Sequence, residues 1–358
     1  VSATPAAPAP GPGRDRPAPR LGYAPWGEDL AELTAAGRAA EEAGADTLWA
    51  SELHRSATVT AAALASATST ARIGTAVALA FTRSPMICAL EIMDLDELSG
   101  GRAVLGLGTG VRRLNEDWHG VPFDHPAQRL RETVDCVRTF IARCADGEPF
   151  EAGGPLASLR VRGYRRPRPV RTRIPVHLAA AGPLTFRLAG EIADGWIGHE
   201  LGSRDHLRDT VLPALHTGLS AACRKPEDLE VVASVCVSVH PDPAEALRRA
   251  AGNVGFYASV RTYAPLFAAH GLREPQRRVA EEFRRPGARA GTLAAAVDPA
   301  MTRALTLCGT REQVAELLTD YAGTADSLKI TVPVHGLTDH EIRQSQTHVL
   351  DLIRELRP

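Results

Sequence analysis

The 358 residues are 44% hydrophobic and carry a formal net charge of −1, which excludes a general attraction to nucleic acid or to an acidic membrane. No apolar run approaches the roughly 20 residues of a membrane span, and six cysteines without CxxC spacing read as buried thiols of a reducing cytoplasm. Residues 1–19, rich in Pro, Ala and Gly and lacking an apolar h-region, read as a disordered tail before a single domain over 20–358, and not as a secretory signal.

"RLGYAP" starts the first strand, and a helix follows from about residue 28 with Leu30, Leu33, Ala36, Ala40 and Ala43 on one face. Gly44 suits the left-handed position that ends it. "DTLWAS" is a second strand, 58–69 a second helix and "RIGTAVALA" a third strand. Ser84 and Pro85 give the third helix a cap and a first-turn proline, and Gly100 and Gly101 stop it before the strand "RAVLGLG". The alternation resumes with a helix over 130–144, the strand "IPVHLAAAG", a helix from Pro183 and the strand "DGWIGH". A helix over 206–223, the strand "LEVVASVCVSVH" and a mostly helical 244–270 follow. Thr310 and Gln313 form a capping box for the next helix. "SLKITVPVH" is the last strand, before a helix over 339–356.

Eight strand–helix units with strands buried on both faces predict a (β/α)8 TIM barrel. Such a barrel takes about 250 residues. The surplus is assigned to the tail, the loop after strand 4, the Pro/Arg-rich segment 146–173 and the stretch 272–300 in the C-terminal third. A doubly wound open sheet is the alternative, disfavoured because the alternation continues past six strands.

The alternating glycines Gly106, Gly108 and Gly110 end strand 4, but Val111 stands where a dinucleotide GxGxxG needs its third glycine, and no Walker lysine follows. A tight bend and a ligand contact both fit. In a barrel this loop shares the C-terminal mouth with "AAAGP" after strand 5 and "SELH" after strand 2. Backbone N–H groups at the first of these suit an anion.

"RSP…LDELSGGRAVLGLGTG" and "PVHLAAAGPLTFRLAGEIADGWIGH" closely resemble the luciferase-like superfamily, and within it the branch that uses coenzyme F420, a deazaflavin. Methylenetetrahydromethanopterin reductase shares the core motifs more distantly. The resemblance covers about residues 20–355 and implies the same barrel. It implies a non-prolyl cis peptide at Ala76–Val77 behind the deazaflavin ring and an acidic ring neighbour at Glu52. It further implies cofactor contacts from Gly108, Thr109 and Gly110, from the phosphate-binding loop Ala180, Ala181 and Gly182, and from the side chain of Asn115. Relatives that oxidise glucose 6-phosphate have Asp-His after strand 2, where this chain has Glu52 and Leu53, with His54 adjacent. Val111 and Arg112 also replace the acid that follows their GTG. That sugar-phosphate chemistry is therefore not carried over.

His199 and Glu200, at the end of strand 6, are candidate proton donors or acceptors beside Glu52 and His54. His335 ends strand 8 in a comparable place, whereas His177 inside strand 5 reads as a core histidine. Arg112 and Arg113 could meet an anionic cofactor tail, and Trp118, His119 and Phe123 could wall the substrate pocket or pack the insertion on itself. The basic run over 160–173 reads as a solvated linker rather than a nucleic-acid site. Neither metal-ligand spacing nor GxSxG occurs.

The expectation is thus a cytoplasmic oxidoreductase with coenzyme F420 as cofactor, a small-molecule substrate, no metal, and a homodimer or higher homo-oligomer. An FMN-dependent monooxygenase on the same barrel is the alternative, and a flavin-binding barrel without catalysis the second.

Overall fold

Runs of residues buried on both faces can satisfy their backbone only by pairing on both sides, and a closed ring of strands does so without edges. The computed structural model describes residues 18–167 and 169–357, and the expected tail falls outside them except for its last two positions. Eight strands form the ring: β1 (Arg20–Tyr23), β2 (Thr47–Ala50), β3 (Arg72–Thr75), β4 (Ala103–Gly108), β5 (Val176–Ala179), β6 (Gly195–Ile197), β7 (Glu230–Val239) and β8 (Ser327–Thr331). Each pairs in parallel with the next, and β8 returns to β1, with Arg20 opposite Ser327. All residues of β2 and β4 are buried, as strands between a lumen and a helix layer must be.

The helices are α1 (Leu30–Ala43), α2 (Ala57–Ala67), α3 (Pro85–Leu98), α4 (Pro126–Arg143), α5 (Pro183–Ile192), α6 (Leu212–Ala221) and α7 (Pro243–Ser259), then α8 (Arg311–Thr319) and α9 (Asp339–Glu355). Their caps follow the sequence. Ser84 accepts from the Ile87 N–H ahead of Pro85, Gly44 closes α1 at φ 103°, and Thr310 with Gln313 boxes the start of α8.

One aromatic side chain fills the lumen. Trp49 packs with Val104, Ile197 and Val232. A Cβ on Gly74 would stand 2.4 Å from its Cζ3, and one on Gly22 2.7 Å from its Nε1, so those two glycines make its room. Below it, Arg72 binds Glu230 at 2.9 Å and Asp46 at 3.0 Å, closing the end away from the mouth.

One expectation needs correction. The segment 146–173 carries an antiparallel hairpin, Phe150–Gly153 with Ser158–Val161, and its arginines are not simply solvated. Arg166 binds Asp94 and Glu97, Arg173 binds Asp194, and Arg171 holds Asp96, whose side chain is 2% exposed. The stretch 272–300, to which the sequence reading gave no element, forms the helices Arg273–Phe283, Ala290–Ala295 and the start of Pro299–Leu305. The mostly helical 244–270 is borne out, as α7, a 3-10 turn over Arg261–Tyr263 and a helix over Ala264–Ala269, with a break at Val260.

Candidate active site

The mouth is built from short segments that leave the strands. After β3 the Ala76–Val77 peptide is cis, and Ala78–Leu79 rejoins the barrel beside Leu107 and Gly108. The loop after β2 clamps this stretch. The Ala76 N–H donates to the Ala50 carbonyl at 2.7 Å, and the Ser51 hydroxyl donates to the Ala76 carbonyl at 3.0 Å. Glu52 accepts from the Leu79 N–H at 2.6 Å and from both terminal nitrogens of Arg83, at 3.0 and 2.5 Å. Arg83 also reaches Glu91 at 3.2 Å. Both Glu52 oxygens are therefore committed to holding the loop. His54 and Leu53 lie exposed on the rim.

The next lip is the end of β4. A Cβ on Gly108 would meet Val77 Cγ2 at 2.6 Å and Ala179 Cβ at 3.5 Å, so only glycine lets this strand lie against the segment after β3. Gly110 adopts φ 64°, the left-handed region that glycine enters without strain. Asn115 is fully buried, and its Nδ2 donates to the carbonyls of Thr109 at 2.8 Å and Val111 at 3.0 Å. Its place is beneath the lip. Its amide nitrogen thus braces the loop, while its Oδ1 has no hydrogen-bond partner among the described residues.

The third lip is the start of α5. Gly182 is its N-cap and has no side chain to cap the helix, so the N–H groups of Leu184 and Thr185 have no side-chain acceptor. The Thr185 hydroxyl accepts instead from the Gly182 N–H at 3.2 Å. The Trp196 indole donates to the Ala180 carbonyl at 3.2 Å and fixes the loop's direction. A cleft of about 500 Å³ runs from this helix start across the mouth. Gly110, Ala180, Ala181, Gly182 and His199 line it, so the structure brings these predicted residues together. Phe123, Phe186, Trp196, Tyr263 and Leu266 make its walls apolar, and Arg112 stands at its rim, paired with Glu116. Ala76, Val77, Gly108 and Thr109 form the adjoining lips, while Glu52, His54 and Asn115 do not reach the cleft wall.

The His199 ring lies between Tyr257 and Tyr263, with centroids at 4.7 and 5.0 Å. Its Nδ1 accepts from the Leu201 N–H at 3.2 Å, which assigns the proton of the neutral ring to Nε2. Burial lowers its pKa to about 4 against the opposing charge of Glu200, so the ring is neutral at pH 7. His206, also on the cleft, is lowered by burial and by its neighbour His270. His335 stacks on Phe256 at 3.8 Å.

Sequence reasoning placed Glu200 at the mouth but missed the polar group around it. Glu200 accepts from the Thr331 hydroxyl at 2.9 Å and lies 3.5 Å from Asn253 Nδ2, while Asn253 Oδ1 accepts from the Val334 N–H at 2.9 Å. Burial raises the Glu200 carboxyl, but the charges of Lys329 and His199 and hydrogen bonds from Tyr257 and Thr331 outweigh it and hold it below the ordinary value. The signal for Lys329 and Thr331 was the alternation of polar and apolar residues in "SLKIT".

Comparison with known proteins supplies the lineage. The profile of the luciferase-like monooxygenase family matches residues 7–327. A Mycobacterium tuberculosis protein, Rv3520c, provisionally named a coenzyme F420-dependent oxidoreductase, is 36% identical over 244 residues, 63% of this chain and 67% of its own length. An F420-dependent glucose-6-phosphate dehydrogenase of Kineococcus radiotolerans is 32% identical over 253 residues, 67% of this chain and 72% of its own. The coenzyme F420-dependent tetrahydromethanopterin reductase of Methanopyrus kandleri superposes with a TM-score of 0.79 at 22% identity, over 94% of this chain and 97% of its own, a likeness of fold. With its closed barrel and three-lipped mouth, the chain belongs to the luciferase-like monooxygenase family and is an enzyme of that family.

Proposed function

We propose that this enzyme binds coenzyme F420 across the mouth and transfers a hydride between the deazaflavin C5 and a small organic substrate. The observation that carries the reading is the uncapped start of α5 opening on the cleft. A Cβ on Gly182 would meet nothing within 4 Å, and two backbone N–H groups with no side-chain cap stand beside it. That donor set fits the phosphate of a deazaflavin nucleotide, with Arg112 at the rim for the carboxylates of its tail. FMN carries a phosphate as well, and the names of the two relatives at 36% and 32% identity favour F420.

When bound, the deazaflavin would supply the hydride donor or acceptor, and the protein the geometry. In this reading Val77, packed close against Gly108, backs the ring. Gly108, Thr109 and Gly110 flank it, held from below by Asn115. Glu52 positions the loop through Arg83 and the Leu79 N–H instead of moving a proton. His199 offers Nε2–H to an acceptor on the substrate, and the apolar walls exclude water. His54, exposed on the rim, takes no step. Among the described residues no helix is long and apolar enough to cross a membrane, and no cluster of His, Cys, Asp and Glu could hold a metal ion.

The test is turnover. Reduced F420 supplied with a panel of enones, imines and ketones under argon is expected to be reoxidised with at least one of them. Reaction only with reduced FMN and oxygen would replace this reading by a monooxygenase.

A further inference from the structure

Two donors at the floor of the mouth lack acceptors. Ser234 on β7 and Lys329 on β8 are register partners. Ser234 shares the lumen-facing side of β7 with Val232, and Leu328 and Ile330, which flank Lys329, pack outward in the core beneath the helices. The pair therefore points into the lumen. Ser234 is 2% exposed, lines the cleft, and its Oγ has no hydrogen-bond partner among the described residues. Lys329 is 7% exposed; burial lowers its pKa, and the opposing charge of Glu200 favours its ammonium form. The groups facing it are thus Glu200, Cys236 and His199. Glu200 has its own hydrogen bonds from Thr331 and Asn253, so the ammonium and the hydroxyl remain the unmatched donors. Buried donors without acceptors are costly, and the cost is recovered when an oxygen arrives.

We propose that Ser234 Oγ and Lys329 Nζ form a seat for a planar oxygen that carries or develops negative charge, such as a carbonyl conjugated to a double bond. Donors aimed at such an oxygen in a carbon-walled site stabilise charge strongly. The seat rests on the cofactor reading only for which molecule supplies the oxygen, a ring carbonyl of the cofactor or the substrate.

The probe is 4-nitrophenol, whose phenolate is coloured, titrated into the cofactor-free protein. Bound dye is expected to be more ionised than free dye at the same pH. Lys329→Met should cut the ratio of bound phenolate to bound phenol about tenfold, or one pKa unit, and Ser234→Ala about threefold, on the order of half a unit. Ser234→Ala carries the test if Lys329→Met does not fold. Dye that does not bind at millimolar concentration, binds no more ionised than free dye, or is insensitive to these substitutions overturns the proposal. If F420 displaces the dye and Lys329→Met weakens F420, the seat holds the cofactor's oxygen. If dye and F420 bind together, it holds the substrate's. A protein that binds no F420 but ionises the dye as stated retains the seat and loses only the cofactor.

Discussion

Replacing Gly182 by alanine separates folding from binding. Gly182 has φ −145° and ψ 163°, extended backbone open to any residue, and the added Cβ meets no atom within 4 Å. The folded protein loses only the preference of an N-cap for glycine over alanine, below about 1 kcal/mol. For a chain of this size that shifts the melting temperature by about 2 °C or less. The methyl enters the cleft beside the Leu184 and Thr185 N–H groups. A hydrogen bond to a charged group contributes roughly 1.5–3 kcal/mol, so displacing a phosphate from one of them weakens binding roughly 10- to 150-fold. A fluorescence titration with F420, run beside a thermal melt, reads both quantities. Unchanged affinity at unchanged melting temperature would refute the assignment of this helix start. Gly108→Ala provides the contrast. Its Cβ would stand 2.6 Å from Val77 Cγ2, so it should cost about 1–3 kcal/mol by overpacking and lower the melting temperature as well.

Other outcomes follow from the same geometry. Glu52→Gln should weaken F420 binding yet leave the shape of the pH–rate profile intact, because Glu52 holds Arg83 and the Leu79 N–H. Loss of one limb of that profile would make Glu52 the proton-transfer group instead. His177 is 1% exposed, and burial lowers its pKa to about 4. The unfolded chain protonates it near its ordinary value of about 6.5. The unfolded state thus binds more protons in this window, so stability is full above it and falls as pH drops toward 4, by up to about 3 kcal/mol. Urea unfolding at about pH 7 and about pH 4.5 should show a smaller difference for His177→Asn than for the parent, and an equal difference would count against this account. Arg171→Met strands the buried Asp96 carboxylate and should cost about 3 kcal/mol. A neutral result would restore the solvated reading of the basic segment.

The barrel was legible because each of its eight strands is an apolar run between helical periodicities, and the caps at Gly44, Ser84 and Thr310 stand in the sequence where they act. The hairpin Phe150–Gly153 with Ser158–Val161 was not, since its strands are largely solvent-facing and carry no apolar run to read. The neutralised arginines were hidden because their partners are distant, Arg171 binding a carboxylate 75 residues away. In the site, the glycine lips and the α5 loop could be found from composition and order along the chain. The commitment of Glu52 to Arg83, the burial of Asn115 and the cluster of Glu200, Ser234 and Lys329 depend on which side chains three separate strands turn inward, which only closure of the barrel decides.

The central claim is that the mouth takes a deazaflavin. Equilibrium titration of the purified, cofactor-free chain with F420 and, separately, with FMN tests it most directly. The account predicts saturable binding of F420, at least tenfold tighter than FMN, about 1.4 kcal/mol in binding free energy. Stoichiometric FMN binding with no binding of F420 would contradict it.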